Sequence, residues 1–115
     1  MVDYTAKICE ACSADASEAT NKEIEEFLQK HQEWFISTDV DFPQLQRIYI
    51  FKNFSKAQVF ANLVGDLAEK EGHHPTILLE YGKVTVRWWS HKIRSIHIND
   101  FILSSKTEKI YGANR

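Results

Sequence analysis

Several common features are absent from this chain of 115 residues, and each absence excludes a class of protein. No apolar stretch approaches the roughly 20 residues needed to span a bilayer. Residues 1–12 lack the basic and then apolar layout of a signal peptide. The formal net charge is only -2, with both signs interspersed, so no electrostatic footprint for nucleic acid is present. We therefore expect a cytoplasmic protein with neither a membrane nor a nucleic acid as partner.

Cysteine is also scarce, and both cysteines lie in one Cys-x-x-Cys motif, Cys9 to Cys12. Such a motif can be a redox pair or half of a zinc site. Here no second pair follows, and no thioredoxin-like strand-to-helix pattern surrounds it. We expect two thiols in an N-terminal arm, residues 1–19. Residues 20–115 then form a single domain, because a chain of this length supports one modest core.

Capping signals and apolar periodicity predict three helices. The first begins at a Thr20–Glu23 capping box and runs to about Gln32. The second begins at Ser55, which forms a capping box with Gln58, and stops at Gly72. A third begins near residue 98, where Ile and Phe recur at helical spacing.

Strand patterns fill the intervals between these helices. A short strand opens at Trp34, and residues 46–51 alternate in the manner of a second strand. Residues 76–81 and 83–89 are β-rich and are joined through Gly82, which predicts an antiparallel hairpin. The predicted order is α-β-β-α-β-β-α, an α+β domain with a mostly antiparallel sheet.

A histidine pair follows the second helix, in the segment His73-His74-Pro75. Pro75 disfavours the helical conformation for His74, so this segment is extended. Adjacent side chains then point to opposite sides, which predicts different roles for the two histidines. Glu69 lies four residues before His73, close enough to orient an imidazole. The alternative is surface polarity without function.

Two further candidates follow the hairpin. His91 comes directly after the last predicted strand, and Asp100 lies in the first turn of the third helix. Loops at strand and helix ends are where a scaffold commonly presents functional groups. The alternatives are a solvated His91 and an Asp100 that only favours the helix dipole. Trp88 and Trp89 alternate along the strand, which predicts one core and one interface residue.

Together these residues resemble the signature of the pterin-4a-carbinolamine dehydratases. That pattern is an acidic residue, three positions, His-His-Pro, an aromatic, a later His and a further Asp. This chain fills the positions with Glu69, His73-His74-Pro75, Tyr81, His91 and Asp100. The resemblance spans roughly residues 20–109, with Ser90 where many members have threonine.

The resemblance implies a fold and an activity. The fold is a four-stranded antiparallel sheet with three helices on one face, assembled into homodimers or homotetramers. The activity is dehydration of 4a-hydroxytetrahydropterin to quinonoid dihydropterin, which recycles tetrahydropterin for an aromatic amino acid hydroxylase. Neither a cofactor nor a metal is implied.

The resemblance also implies site residues. Those with an implied catalytic role are His73, His74 and His91. Those with an implied role in substrate binding are Glu69, Pro75, Ser90, Lys92, Ile93 and Asp100.

The chemistry needs an acid for the departing hydroxyl and a base for N5, and imidazole suits both near neutral pH. We expect His73 and His91 to flank the C4a–N5 edge, with His74 bonded to the ring or the leaving hydroxyl. Glu69 would fix a tautomer, and backbone groups near Pro75 and in residues 90–93 would position the pterin.

Two other functions stay open at this point. Three histidines and a carboxylate could bind zinc, although His73 and His74 lack the single-face helical spacing of many zinc sites. Some members of the family that this sequence resembles act as dimerisation cofactors for transcription factors, so a protein-binding role is the second alternative.

Overall fold

The computed structural model describes residues 17–37 and 40–114. The helices are α1 (Asn21–Lys30), α2 (Phe54–Glu71) and α3 (Ile98–Asn114). The strands are β1 (Phe35–Ser37), β2 (Gln44–Ile50), β3 (Thr76–Glu80) and β4 (Lys83–Trp88). This order confirms the predicted α-β-β-α-β-β-α arrangement. The Cys9–Cys12 motif lies outside the described residues.

The sheet is antiparallel, with strand order β1-β2-β4-β3. The predicted hairpin of β3 and β4 is confirmed, and Gly82 in its turn has a φ of 72°. A Cβ at Gly82 would lie 3.2 Å from the carbonyl oxygen of Phe51, so a side chain is disfavoured there twice over. Thr76 pairs with Arg87, which brings the start of β3 beside the end of β4. The segments before β3 and after β4 therefore meet.

The core lies between one sheet face and the helices. In β2, Leu45 and Tyr49 are fully buried, whereas Ile48 and Ile50 on the opposite face are 41% and 64% exposed. Tyr49 packs on Phe60 of α2, with ring centroids 4.7 Å apart. This burial matches the expected arrangement of helices on one face. Within the described residues, no helix has the length and apolar character to cross a bilayer.

The first helix confirms its predicted cap and packs onto the last. Thr20 and Glu23 exchange side-chain-to-backbone hydrogen bonds of 2.8 and 3.1 Å. The ring of Phe27 stacks on Phe101 of α3 at 4.7 Å. Just before this helix, the Ala19 amide donates to the Ile96 carbonyl at 2.7 Å, so the last residues of the predicted arm are joined to the loop after β4.

The start of α2 differs from its prediction. Asn53 caps the helix by accepting a 2.9 Å hydrogen bond from the Lys56 amide, so the predicted Ser55–Gln58 capping box is wrong. Both Asn and Ser cap well. The helix has a buried face of small and large residues. That face consists of Ala57, Phe60, Val64 and Ala68. The predicted stop is confirmed: Gly72 has a φ of 66°, in the left-handed region.

Candidate active site

His73 lies buried at the end of α2. Its amide donates to the Ala68 carbonyl at 3.2 Å, which ties it to the last helical turn. Only 2% of its side chain is exposed, and its ring stacks against Trp88 with centroids 5.8 Å apart. Its Nε2 lies 2.7 Å from Oδ1 of Asp100. Because a carboxylate accepts, Nε2 carries the hydrogen in this pair.

Asp100 is a fully buried acceptor for three parts of the chain. Besides His73, the Ser90 hydroxyl and the His97 amide each donate to its Oδ2 at 2.9 Å. His97 Nδ1 in turn accepts from the Asn99 amide at 3.0 Å, so His97 and Asp100 form a reciprocal cap at the start of α3. Asp100 therefore joins the segment after α2, the end of β4 and the start of α3.

His74 faces the opposite way from His73. Its side chain is 56% exposed, and its Nε2 lies 2.6 Å from Oε2 of Glu69. Glu69 therefore orients His74 and not His73. Solvent screens this exposed pair of His74 and Glu69, so the pair orients the His74 ring but contributes little to the free energy of unfolding.

His91 lies beside His74 at the surface. Its Nε2 is 2.7 Å from the carbonyl oxygen of His74. A carbonyl only accepts, so this nitrogen is the N–H and Nδ1 carries the lone pair of the neutral ring. The ring also stacks on Trp89, with centroids 4.4 Å apart and planes inclined by 13°. The pairing of β3 with β4 thus brings the exposed His91 ring against the backbone of the exposed His74.

The remaining predicted site residues near His74 and His91 differ in how deeply they are buried. Ser90 is buried, and its amide and carbonyl form a bridge with Ser95, so it closes the loop from within. Lys92 is exposed in the turn of this loop, and Ile93 and Pro75 are half-buried. Side chains of Ser90 and Asp100 consequently support the loop, while Lys92 and Ile93 lie at its surface.

Two shifted pKa values belong to a different part of the molecule. Burial lowers the pKa of His31, against the opposing charge of Glu108. Burial, followed by the charge of Glu108 and a hydrogen bond to it, raises the pKa of Tyr49. Glu108 also forms an ion pair with Arg47. This cluster lies between α1, β2 and α3 and is separate from the histidine pair.

The geometry suits proton transfer. Among residues 17–37 and 40–114, no three His, Cys, Asp or Glu side chains converge to hold a metal ion. His74 and His91 each have one nitrogen engaged in a hydrogen bond, through Glu69 and the His74 carbonyl. The arrangement offers one imidazole that could give a proton and another that could accept one.

Sequence patterns did not connect Trp89 or Phe42 with His91. Of Trp88 and Trp89 one core and one interface residue were predicted, without saying which; Trp88 is fully buried and Trp89 is half-buried. Phe42, between β1 and β2, lies 6.0 Å from Trp89 between ring centroids. The alternation of Trp88 and Trp89 placed one of the two rings on the face opposite the core, whereas no local pattern joins Phe42 to this loop.

Comparison with known proteins identifies the family. Residues 17–110 match the family model described as "Pterin 4 alpha carbinolamine dehydratase". A protein of Marinobacter nauticus, provisionally named a pterin-4-alpha-carbinolamine dehydratase, is 53% identical over 103 residues, covering 90% of this chain and 93% of the relative.

Two solved structures share the fold. A transcriptional coactivator/pterin dehydratase from Brucella melitensis is 27% identical with a TM-score of 0.75, over 84% of this chain and 100% of that one. A pterin dehydratase-like RuBisCO assembly factor of the alpha-carboxysome is 17% identical with a TM-score of 0.59, over 71% of this chain and 93% of that one; this likeness shows the fold alone. The chain belongs to the pterin 4 alpha carbinolamine dehydratase family.

Proposed function

We propose that this protein dehydrates 4a-hydroxytetrahydropterin to quinonoid dihydropterin and water by histidine acid–base catalysis. The observation that carries the proposal is the contact of two exposed histidines, with His91 Nε2 2.7 Å from the His74 carbonyl oxygen. Family membership supports the substrate class. Two imidazoles on neighbouring exposed residues are the groups that would serve as acid and base.

The reaction requires two proton transfers at neighbouring atoms. The C4a–O bond breaks as the hydroxyl receives a proton and leaves as water. N5 loses its proton, and its electron pair forms the N5=C4a double bond. A positioned imidazole suits either transfer, and each such transfer contributes typically about 10²–10⁴-fold.

The hydrogen bonds favour one division of these roles. An imidazolium at His74 would form an ion pair with Glu69, whose Oε2 lies 2.6 Å from Nε2. His91 instead donates to a neutral carbonyl, which leaves the Nδ1 lone pair of its neutral ring to accept a proton. We assign His74 as the acid and His91 as the base.

Burial supports a different role for His73 from the one expected from sequence. With 2% of its side chain exposed, His73 is poorly placed to exchange protons with a substrate. Its hydrogen bond to Asp100 instead holds the turn that carries His74. The pairing proposed for catalysis is therefore His74 with His91, and His73 is a positioning residue.

Residues at the surface of the loop after β4 would contact the substrate. The backbone groups of Ser90 already bond to Ser95, so those of Lys92 and Ile93 are the candidates for holding the pterin, with Pro75 beside them. On the basis of the family resemblance, the proposal includes a homodimer or homotetramer and a role in recycling tetrahydropterin for an aromatic amino acid hydroxylase. It also keeps the cytoplasmic location expected from the sequence.

Replacing either histidine tests the proposal. His74→Ala and His91→Ala should each lower kcat at least tenfold, because one proton transfer is worth about 10²–10⁴-fold. Glu26→Ala, on the exposed side of α1, is the control for substitution itself. Circular dichroism would verify the fold. Turnover near that of the wild type in both histidine variants would refute the assignment.

A protein-binding role is the second candidate, favoured by the similarity to the transcriptional coactivator/pterin dehydratase from Brucella melitensis. The wild-type assay separates the two functions. A protein that leaves the dehydration rate unchanged and retains a stable partner would favour binding.

A further inference from the structure

The proposed base is part of an aromatic stack. Trp89 lies against His91 with ring planes inclined by 13° and centroids 4.4 Å apart. Phe42 packs on Trp89 at 6.0 Å, and the Arg94 guanidinium lies 5.1 Å above the Phe42 ring. Residues from the turn before β2 and from the loop after β4 therefore meet beside His91.

One hydrogen bond alone does not orient a surface imidazole. The bond from His91 Nε2 to the His74 carbonyl fixes the place of one ring nitrogen but leaves the ring free to turn about that bond. A flat ring stacked at 4.4 Å fixes the plane. The two restraints together hold Nδ1, the nitrogen that accepts the proton in our assignment, at one position.

We propose that Trp89 is a positioning residue for His91, and that Phe42 holds Trp89 in place. The inference rests on the proposed function, in which His91 is the base. Trp89 contacts both His91 and Phe42, so its contribution passes through His91.

The backbone of the loop supports this view. Arg94 has a φ of 50°, the one positive value among the described non-glycine residues. For a long side chain this conformation costs on the order of 1 kcal/mol or more, and it persists where surrounding contacts determine it. The Ser90–Ser95 bridge closes the loop, and the contact of Arg94 with Phe42 fastens it to the neighbouring turn.

Loss of the stack should affect turnover more than substrate binding. A displacement of about 1 Å in a catalytic group can cost roughly 10²-fold in rate. Trp89→Leu should therefore lower kcat at least tenfold, with KM changed by less than about threefold. Trp89→Phe retains a flat ring and should keep kcat within about threefold of the wild type.

The test combines kinetics with proton NMR of the substrate-free protein. Steady-state rates would be measured for both Trp89 variants and for Phe54→Leu, a control at a ring that is 42% exposed at the start of α2. The imidazole resonances of His91, identified by their absence in His91→Ala, should be shifted by the ring current of Trp89. Trp89→Leu should abolish that shift, and Trp89→Phe should retain part of it.

The outcomes separate this inference from the proposed function. An active wild type with full kcat in Trp89→Leu would overturn the inference and leave the function standing. A wild type without dehydratase activity would overturn the proposed function. The NMR measurement by itself would then test whether Trp89 orients His91. Unchanged His91 resonances in Trp89→Leu would overturn the positioning role in either case.

Discussion

Replacing Asp100 by alanine should destabilise the protein more than any other change at the site. The carboxylate has no exposed surface and accepts hydrogen bonds of 2.7 to 2.9 Å from His73, Ser90 and the His97 amide. A hydrogen bond to a charged group contributes about 1.5–3 kcal/mol, and breaking a buried pair costs roughly 3–5 kcal/mol. Partial replacement by water keeps the sum of three bonds from being lost in full. We expect Asp100→Ala to lower the free energy of unfolding by about 3–5 kcal/mol.

Asparagine at this position refines the test. Its single oxygen can still accept from Ser90 and the His97 amide, while its amide group faces His73. The imidazole of His73 must then present a lone pair at Nε2, which requires the other tautomer. Asp100→Asn should therefore cost only about 1–2 kcal/mol.

Urea unfolding followed by tryptophan fluorescence measures both changes, since Trp34 and Trp88 are buried. One protein concentration should be used throughout, because oligomers shift apparent stability by mass action. Asp66→Ala, at an exposed position of α2, is the control and should change stability by less than about 0.5 kcal/mol. A loss in Asp100→Ala no larger than in the control would refute the account of Asp100 as the acceptor that joins three segments.

Two further predictions concern the cluster around Glu108. Burial lowers the pKa of His31 from its ordinary value of 6.5. As the pH falls, His31 therefore takes up its proton in the unfolded chain before it does so in the folded protein. The stability that neutral His31 contributes is present above pH 6.5 and is lost as the pH falls below that value. The His31 ring stacks on Phe27 with centroids 4.3 Å apart. His31→Phe retains this stack and should lose less stability between pH 7 and pH 5 than the wild type; equal losses in urea titrations would contradict this. Tyr49→Phe removes a buried hydroxyl that donates to Glu108 at 2.5 Å and should cost about 1–2 kcal/mol, whereas an unchanged thermal midpoint would count against that bond.

Local signals made most of the fold predictable. The Thr20–Glu23 cap, the helix stop at Gly72 and the hairpin turn at Gly82 each depend on residues a few positions apart. The start of α2 was not predictable in the same way. Asn53 and Ser55 can both cap a helix, so the residue types at the start did not distinguish them, and the structure shows that Asn53 accepts from the Lys56 amide.

The candidate site residues were named from the sequence, but their exposure was not predictable from it. His73 and His74 are adjacent, and alternation indicates that they face opposite sides without saying which one is buried. Asp100 decides this, because a buried carboxylate 27 positions away binds His73. The contact of Phe42 with Trp89 likewise joins distant segments and has no local signature.

Dehydration of freshly generated 4a-hydroxytetrahydropterin tests the central claim most directly. The absorbance of the substrate would be followed with wild-type protein, purified without a histidine tag and treated with EDTA, and with the His74→Ala/His91→Ala double variant. We predict acceleration by the wild type that survives the chelator and is nearly lost in the double variant. A wild type that fails to accelerate the reaction, or a double variant as fast as the wild type, would contradict histidine acid–base catalysis at this site.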